Sequence, residues 1–107
     1  MVNKFVIDCI MEEELREAKE YHPEFFASNH EAYAVIKEEF EEAYDEILRV
    51  SDWMECLWNA VKSDEEVDDI LKEIKNYSYF LIAEVVQVYA MAEKGLRSNA
   101  KVSVKEG

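Results

Sequence analysis

Residues 67–91 read VDDILKEIKNYSYFLIAEVVQVYAM, and their apolar side chains recur in alternating steps of three and four residues. The positions that carry this pattern are 67, 70, 74, 77, 81, 88 and 91. Such spacing is typical of one face of a packed α-helix. We therefore predict a long helix that begins after Ser63 and ends near Gly95, which is placed to act as a C-terminal cap.

The predicted length of this helix needs an explanation. A straight helix over residues 64–94 would be about 46 Å long, which exceeds the width of a compact domain of this size. Residues 76–79, Asn-Tyr-Ser-Tyr, are weak helix formers. Either the helix breaks there, or it continues and completes its packing against a second subunit.

The rest of the chain is divided by helix start signals, in which a serine or aspartate precedes a glutamate by three residues. These signals predict helices over residues 29–50 and 52–62, in addition to the long one. Residues 3–20 form a further amphipathic stretch, and a loop with Pro23 follows it. The three signals are Ser28 with Glu31, Asp52 with Glu55, and Ser63 with Glu66.

The composition agrees with this all-α interpretation. The 107 residues are enough for one domain, and the hydrophobic content of 50% is enough for a core. Two glycines and one proline are too few for the many tight turns of a β-sandwich or barrel. We predict a single all-α domain over residues 1–107, a bundle of four or five helices completed by oligomerisation, with residues 98–107 as a flexible tail.

Charge and cysteine content restrict the possible partners and location. Twelve basic and 25 acidic residues give a net charge of -13, which argues against binding to nucleic acid or to an anionic membrane and favours cations as partners. No targeting segment and no apolar run of membrane-spanning length is present, so we predict a cytoplasmic protein. Cys9 and Cys56 fall in apolar helical patterns and are predicted to be reduced core residues.

Glu84 occupies a position where the helical pattern predicts an apolar residue, between Leu81 and Val88. A buried carboxylate without a partner costs several kcal/mol, and no lysine or arginine lies one turn away. Glu84 is therefore expected to contact a metal ion, to be protonated, or to pair with a tyrosine such as Tyr33 or Tyr44.

A second group of carboxylates lies on the predicted helix 29–50. On a helical wheel Glu39 falls inside the apolar arc, Glu42 lies one turn further at its border, and Glu38 is next to Glu39. These residues either solvate the edge of the helix or face Glu84 across the bundle. In the second case they form an all-oxygen site suited to Mg²⁺ or Mn²⁺.

The same acidic elements resemble those of a known family. Residues 38–42 read EEFEE, which fits a Glu-Glu-x-x-Glu element, with HEAYAVI before it at 30–36 and EVVQVYAMA on the later helix at 84–92. Over residues 22–97 the chain resembles the MazG-like all-α nucleoside triphosphate pyrophosphohydrolases, in particular small members found in phages and prophages.

The resemblance implies a Mg²⁺-dependent hydrolase that cleaves a nucleoside triphosphate into a monophosphate and pyrophosphate. It implies that Glu39, Glu42 and Glu84 bind the metal and that Glu38 supports it or positions the attacking water. Gln87 stands where the family has an aspartate, and its amide oxygen can still coordinate a metal. Lys94 and Arg97 either hold the phosphates or interact with a helix C-terminus.

Two other functions remain open at this point. The chain could be a non-catalytic helical interaction protein that keeps the fold and has lost the chemistry through Gln87. It could also be a structural bundle whose acidic residues only solubilise it. Both the resemblance and the long last helix predict a homodimer or homotetramer.

Overall fold

The computed structural model describes residues 1–106 of the chain, with side chains described through Val102. The described part is all-α and contains three helices, α1 (Lys4–Ala18), α2 (Asn29–Lys62) and α3 (Asp68–Glu106). Where four or five helices were expected, the described residues form three. No described helix is long and apolar enough to cross a membrane.

Helix α2 begins where the sequence predicts. The Ser28 hydroxyl accepts a hydrogen bond from the backbone N–H of Glu31 at 3.1 Å, and the Glu31 carboxylate accepts one from the N–H of Ala27 at 3.4 Å. Two of the unpaired N–H groups near the helix start are thereby satisfied. The predicted start at Ser28 is confirmed.

The predicted boundary between residues 50 and 52 is wrong, because α2 continues without interruption to Lys62. Its inward-facing residues keep their steps of three and four through this region, from Ala43 to Ala60. Since the packing register does not change, the backbone has no reason to open its hydrogen bonds. Asp52 and Glu55 are exposed on the surface of the helix.

Helix α3 is also longer and more regular than predicted. The predicted start after Ser63 is wrong, because α3 begins at Asp68 and residues 63–67 form a loop. The helix passes through residues 76–79 without a break. Tyr77 lies below the Arg49 guanidinium of α2, 6.0 Å from ring centre to Cζ. Packing against α2 therefore outweighs the weak helix propensity of this stretch.

The expected cap at Gly95 is likewise wrong. Gly95 lies inside α3, which runs on to Glu106 through the segment predicted as a tail; Gly107 lies outside the described residues. A β-carbon built on Gly95 would be 4.0 Å from the β-carbon of Ala32. Gly95 therefore lies inside α3 at its contact with α2, with room for a β-carbon, and not at a helix end.

Helices α2 and α3 form an antiparallel hairpin, and α1 packs on α3 near its C-terminal half. The Tyr89 hydroxyl donates a hydrogen bond to Asp8 at 2.7 Å, and Arg97 forms an ion pair with Glu12. The main cluster of buried apolar residues lies at this end of the molecule, where the three helices meet. Its buried residues are Met11, Leu15, Phe26, Ala32, Ala90 and Met91.

Candidate metal centre and adjoining groove

Three glutamates predicted to face one another do so across the hairpin. Glu39 and Glu42 lie one turn apart on α2, and Glu84 lies opposite them on α3. Each offers a carboxylate oxygen, and these oxygens all lie within 4.8 Å of one another. The antiparallel register of α2 and α3 produces this arrangement, since it brings the middle of each helix together.

The electrostatic environment of the cluster is unfavourable for three negative charges. Burial raises the pKa of Glu39 to about 7, and repulsion from Glu42, Glu84 and further carboxylates adds to the effect. Burial and a side-chain hydrogen bond with Glu42 also raise the pKa of Glu84, with Glu46 contributing repulsion. Protons are retained here because no positive charge replaces them.

Among the described side chains, no ion pair neutralises the carboxylates of Glu39, Glu42 and Glu84. The nearby cations are engaged elsewhere, because Lys37 pairs with Glu41 and Arg49 pairs with Glu46. The tyrosine alternative for Glu84 is not realised either, since no hydrogen bond among the described residues joins it to Tyr33 or Tyr44. A divalent cation with oxygen ligands fits this set of donors.

Glu46 is a fourth carboxylate of this region that the sequence interpretation did not single out. Its Oε2 atom is buried and has no hydrogen-bond partner in the described structure. The signal was present, because Glu39, Glu42 and Glu46 are separated by three and then four residues and so share one helix face.

A groove of about 560 Å³ adjoins the cluster and is bounded by α1, the loop after it, α2 and α3. Glu39 lines this groove and therefore connects it with the three-glutamate cluster. Glu38 lines it as an exposed side chain, and Gln87 lines it as a half-buried one. The predicted water-positioning and metal-binding residues are thus next to a cavity that can take a small molecule.

Gln87 is held by α1. Its side-chain amide donates a hydrogen bond to the Glu14 carboxylate, so its amide oxygen remains free to act as an acceptor or ligand. Glu14 also lines the groove and contributes to the raised pKa of Glu39. It was not predicted as a site residue, although its place three residues after Met11 puts it at the border of the packed face of α1.

The two predicted phosphate-binding residues lie in different surroundings. Lys94 is buried, with 8% of its surface exposed, and its ammonium lies over the Phe26 ring at 4.4 Å while lining the groove. Arg97 does not line this groove and forms ion pairs with Glu12 and Glu93. The structure thus brings Lys94, and not Arg97, to the groove that contains Glu39.

The cysteines are free and exposed, so their predicted place in the core is wrong. Neither residue belongs to the cluster of buried apolar residues where the three helices meet. No protein-family model, curated protein or solved structure matches this chain.

Proposed function

We propose that the chain is a MazG-like nucleoside triphosphate pyrophosphohydrolase that uses Mg²⁺ or Mn²⁺. The observation that carries the proposal is the convergence of Glu39, Glu42 and Glu84 without a counter-charge, next to a groove of ligand size. Three carboxylates this close together are costly to hold as anions, and a bound cation would remove that cost. The family resemblance of both acidic elements supports the same assignment.

The three glutamates would hold the metal, and Gln87 could add its amide oxygen. A divalent cation bound there would neutralise charge on the triphosphate and on the developing pyrophosphate. Such neutralisation is needed in this chain, because acidic side chains and a polyanionic substrate otherwise repel each other.

Two further residues that line the groove, Lys94 and Glu38, would position the substrate and the attacking water. The Lys94 ammonium, which has no ion pair with a described carboxylate, would donate hydrogen bonds to phosphate oxygens. Glu38 would orient the attacking water and take its proton. The water oxygen then bonds to the α-phosphorus, and the bridging oxygen leaves with pyrophosphate.

The proposal is tested by following the products of a panel of nucleoside triphosphates with Mg²⁺ by ³¹P NMR. Wild-type protein should release a nucleoside monophosphate and pyrophosphate. Glu39→Gln and Glu84→Gln should each lower the rate of pyrophosphate release. The decrease should exceed the roughly 10- to 100-fold that is typical when a residue next to a metal ligand is replaced. Far-UV circular dichroism should show both variants folded.

Glu41→Gln is the matched control. Glu41 lies on the same helix but is exposed and pairs with Lys37 at 3.7 Å, so its variant should keep wild-type activity. Wild-type turnover by Glu39→Gln or Glu84→Gln would refute the site assignment. Absence of turnover with every triphosphate would refute the enzyme and favour the non-catalytic interaction protein.

A further inference from the structure

Glu14 is the carboxylate of α1 that both lines the groove and contacts α3. It is half-buried, and it shares the groove with Glu39 and Gln87. Its carboxylate accepts a hydrogen bond from the side-chain amide of Gln87. Helix α1 lies outside the α2–α3 hairpin that carries the three-glutamate cluster, so this hydrogen bond connects a third helix to the candidate site.

The negative charge of Glu14 has no counter-charge among the described side chains. Two basic residues follow it closely in the sequence, and both are engaged with other acids. Arg16 pairs with Glu13, and Lys19 pairs with Glu24 at 3.0 Å. A hydrogen bond from a neutral amide satisfies one acceptor position of a carboxylate and leaves its charge in place. That charge remains available to a cation bound in the groove.

The position of Glu14 is fixed by the packing of α1 around it. Met11 and Leu15 on the same helix are buried among the apolar residues where the three helices meet. Glu12 pairs with Arg97 of α3. A side chain that is held in place before binding loses less freedom when a ligand arrives. Glu14 is therefore preorganised to act on Gln87.

The hydrogen bond decides which end of the Gln87 amide points to α1. A glutamine amide has an oxygen that accepts and an NH₂ group that donates, and either end can turn to a neighbour. A carboxylate only accepts, so Glu14 bonds to the NH₂ group. The amide oxygen is thereby turned away from Glu14, and among the described residues no group donates a hydrogen bond to it.

This free oxygen lies on the face of α3 that carries the metal centre. Glu84 belongs to the three-glutamate cluster and lies three residues before Gln87. Residues three apart on a helix share one face. Mg²⁺ and Mn²⁺ take oxygen ligands, and an amide turned the other way would present its NH₂ group to them instead.

We infer that Glu14 is a positioning residue of the metal centre, which holds the Gln87 amide with its oxygen free for a divalent cation and supplies from α1 the negative charge that an amide lacks. The inference rests on the proposed function, since that function places a cation at the three-glutamate cluster. It assigns a role to α1: the hairpin provides the ligands, and α1 orients one of them.

Mn²⁺ binding to the whole chain without nucleotide tests the inference. Electron paramagnetic resonance measures the free ion, whose signal falls as Mn²⁺ binds. Glu14→Gln should weaken binding by roughly 10- to 100-fold, as is typical when the partner of a metal ligand is replaced. The new amide carries no charge and can hydrogen-bond to either end of Gln87, so the orientation is no longer fixed.

Glu12→Gln is the matched control. Glu12 lies on the same helix and its carboxylate also contacts α3, through Arg97, but it does not line the groove. The substitution removes the same charge from α1 and weakens its attachment, yet Mn²⁺ affinity should stay at the wild-type level. Equal weakening by Glu12→Gln and Glu14→Gln would overturn the inference, because Glu14 would then only hold α1 in place.

Exchanging the two side chains provides a rescue. In Glu14→Gln combined with Gln87→Glu, the hydrogen bond can form in the opposite direction and the charge returns on α3. Both oxygens of the new carboxylate are acceptors, so its orientation no longer matters. The double variant should bind Mn²⁺ at least as tightly as wild-type protein. Binding no tighter than that of Glu14→Gln alone would overturn the inference.

The same titration separates this inference from the proposed function. Mn²⁺ affinity of Glu14→Gln equal to that of wild-type protein would overturn the role of Glu14 and leave the proposed function intact. Absence of Mn²⁺ binding by wild-type protein would overturn both. Circular dichroism should show every variant folded, since glutamate and glutamine have nearly the same size.

Discussion

At the scale of single residues, Glu39 connects the two parts of the candidate site. It belongs to the carboxylate cluster and also lines the groove. Burial, together with repulsion from its carboxylate neighbours, raises its pKa to about 7. In the folded protein without metal, Glu39 therefore holds a proton at pH values where an unfolded chain has lost it.

This shift predicts how stability depends on pH in the absence of metal. Because the folded pKa lies above the unfolded value, the folded state binds more protons between about 4.5 and 7, and stability is lost as the pH rises through this window. We expect a loss of roughly 1–2 kcal/mol from Glu39, since solvent screens this half-buried site. Thermal unfolding in EDTA at pH 5 to 8 measures it.

Glu39→Gln should flatten this dependence because the amide does not titrate. Glu41→Gln should retain it, since Glu41 lies outside the cluster. An equal pH slope in wild-type protein and Glu39→Gln would contradict the assigned role of Glu39.

The sequence singled out Glu39 and Glu84 because each interrupts an apolar helical pattern, and Glu42 because it lies one turn from Glu39 at the border of the apolar arc. It could not show that Lys94 faces the groove while Arg97 turns to Glu12, since that choice depends on where α1 crosses α3. For the same reason Glu14 was missed. The roles of these residues depend on contacts between segments that are distant in the sequence. Helical spacing within one segment cannot predict such contacts.

At the scale of helices, the structure shows which of the predicted helix-start patterns coincide with real helix starts. The Ser28 cap acts as predicted because the helix begins there. The similar pair Asp52 and Glu55 lies inside α2, where the packed register continues and the backbone stays bonded. A capping pattern predicts a helix start only where the apolar periodicity also restarts.

Gly95 provides a test of this interpretation. If it is an interior helix residue with room for a β-carbon against Ala32, Gly95→Ala should stabilise the protein by roughly 0.5–1 kcal/mol through lower unfolded-state entropy. Urea unfolding measures the change. Destabilisation by the alanine would show that the two helices approach too closely there for even one methyl group.

The loop between α1 and α2 is fixed to α3 by Ser98. The buried Ser98 hydroxyl accepts a hydrogen bond from the backbone N–H of Phe26 at 2.8 Å and donates one to the carbonyl of Lys94 at 2.7 Å. Phe26 in turn lies beneath the Lys94 ammonium. This contact therefore connects loop position with the shape of the groove.

Ser98→Ala should cost about 1–3 kcal/mol, because it leaves the Phe26 N–H buried without an acceptor. Urea unfolding measures the loss. Ser51→Ala on the exposed surface of α2 is the control and should change stability by no more than about 0.5 kcal/mol. Similar effects of the two substitutions would contradict the anchoring role of Ser98.

At the scale of the whole molecule, the chain is extended. It measures 66 × 27 × 23 Å and has a radius of gyration of 18.3 Å, compared with about 13 Å for a compact domain of this length. The sequence predicted a last helix that is longer than a compact domain of this size is wide. It left open whether that helix breaks or packs against a second subunit. The helix does not break, so packing against a second subunit stays a prediction.

The central claim is that Glu39, Glu42 and Glu84 bind a divalent cation, which in turn binds a nucleoside triphosphate. Thermal unfolding with metal and nucleotide tests this claim most directly. We predict that Mg²⁺ or Mn²⁺ raises the melting temperature and that a triphosphate raises it further only when metal is present. Both shifts should disappear in Glu84→Gln and persist in Glu41→Gln. Equal melting temperatures of wild-type protein in EDTA, in metal alone and in metal with every nucleotide would contradict the claim.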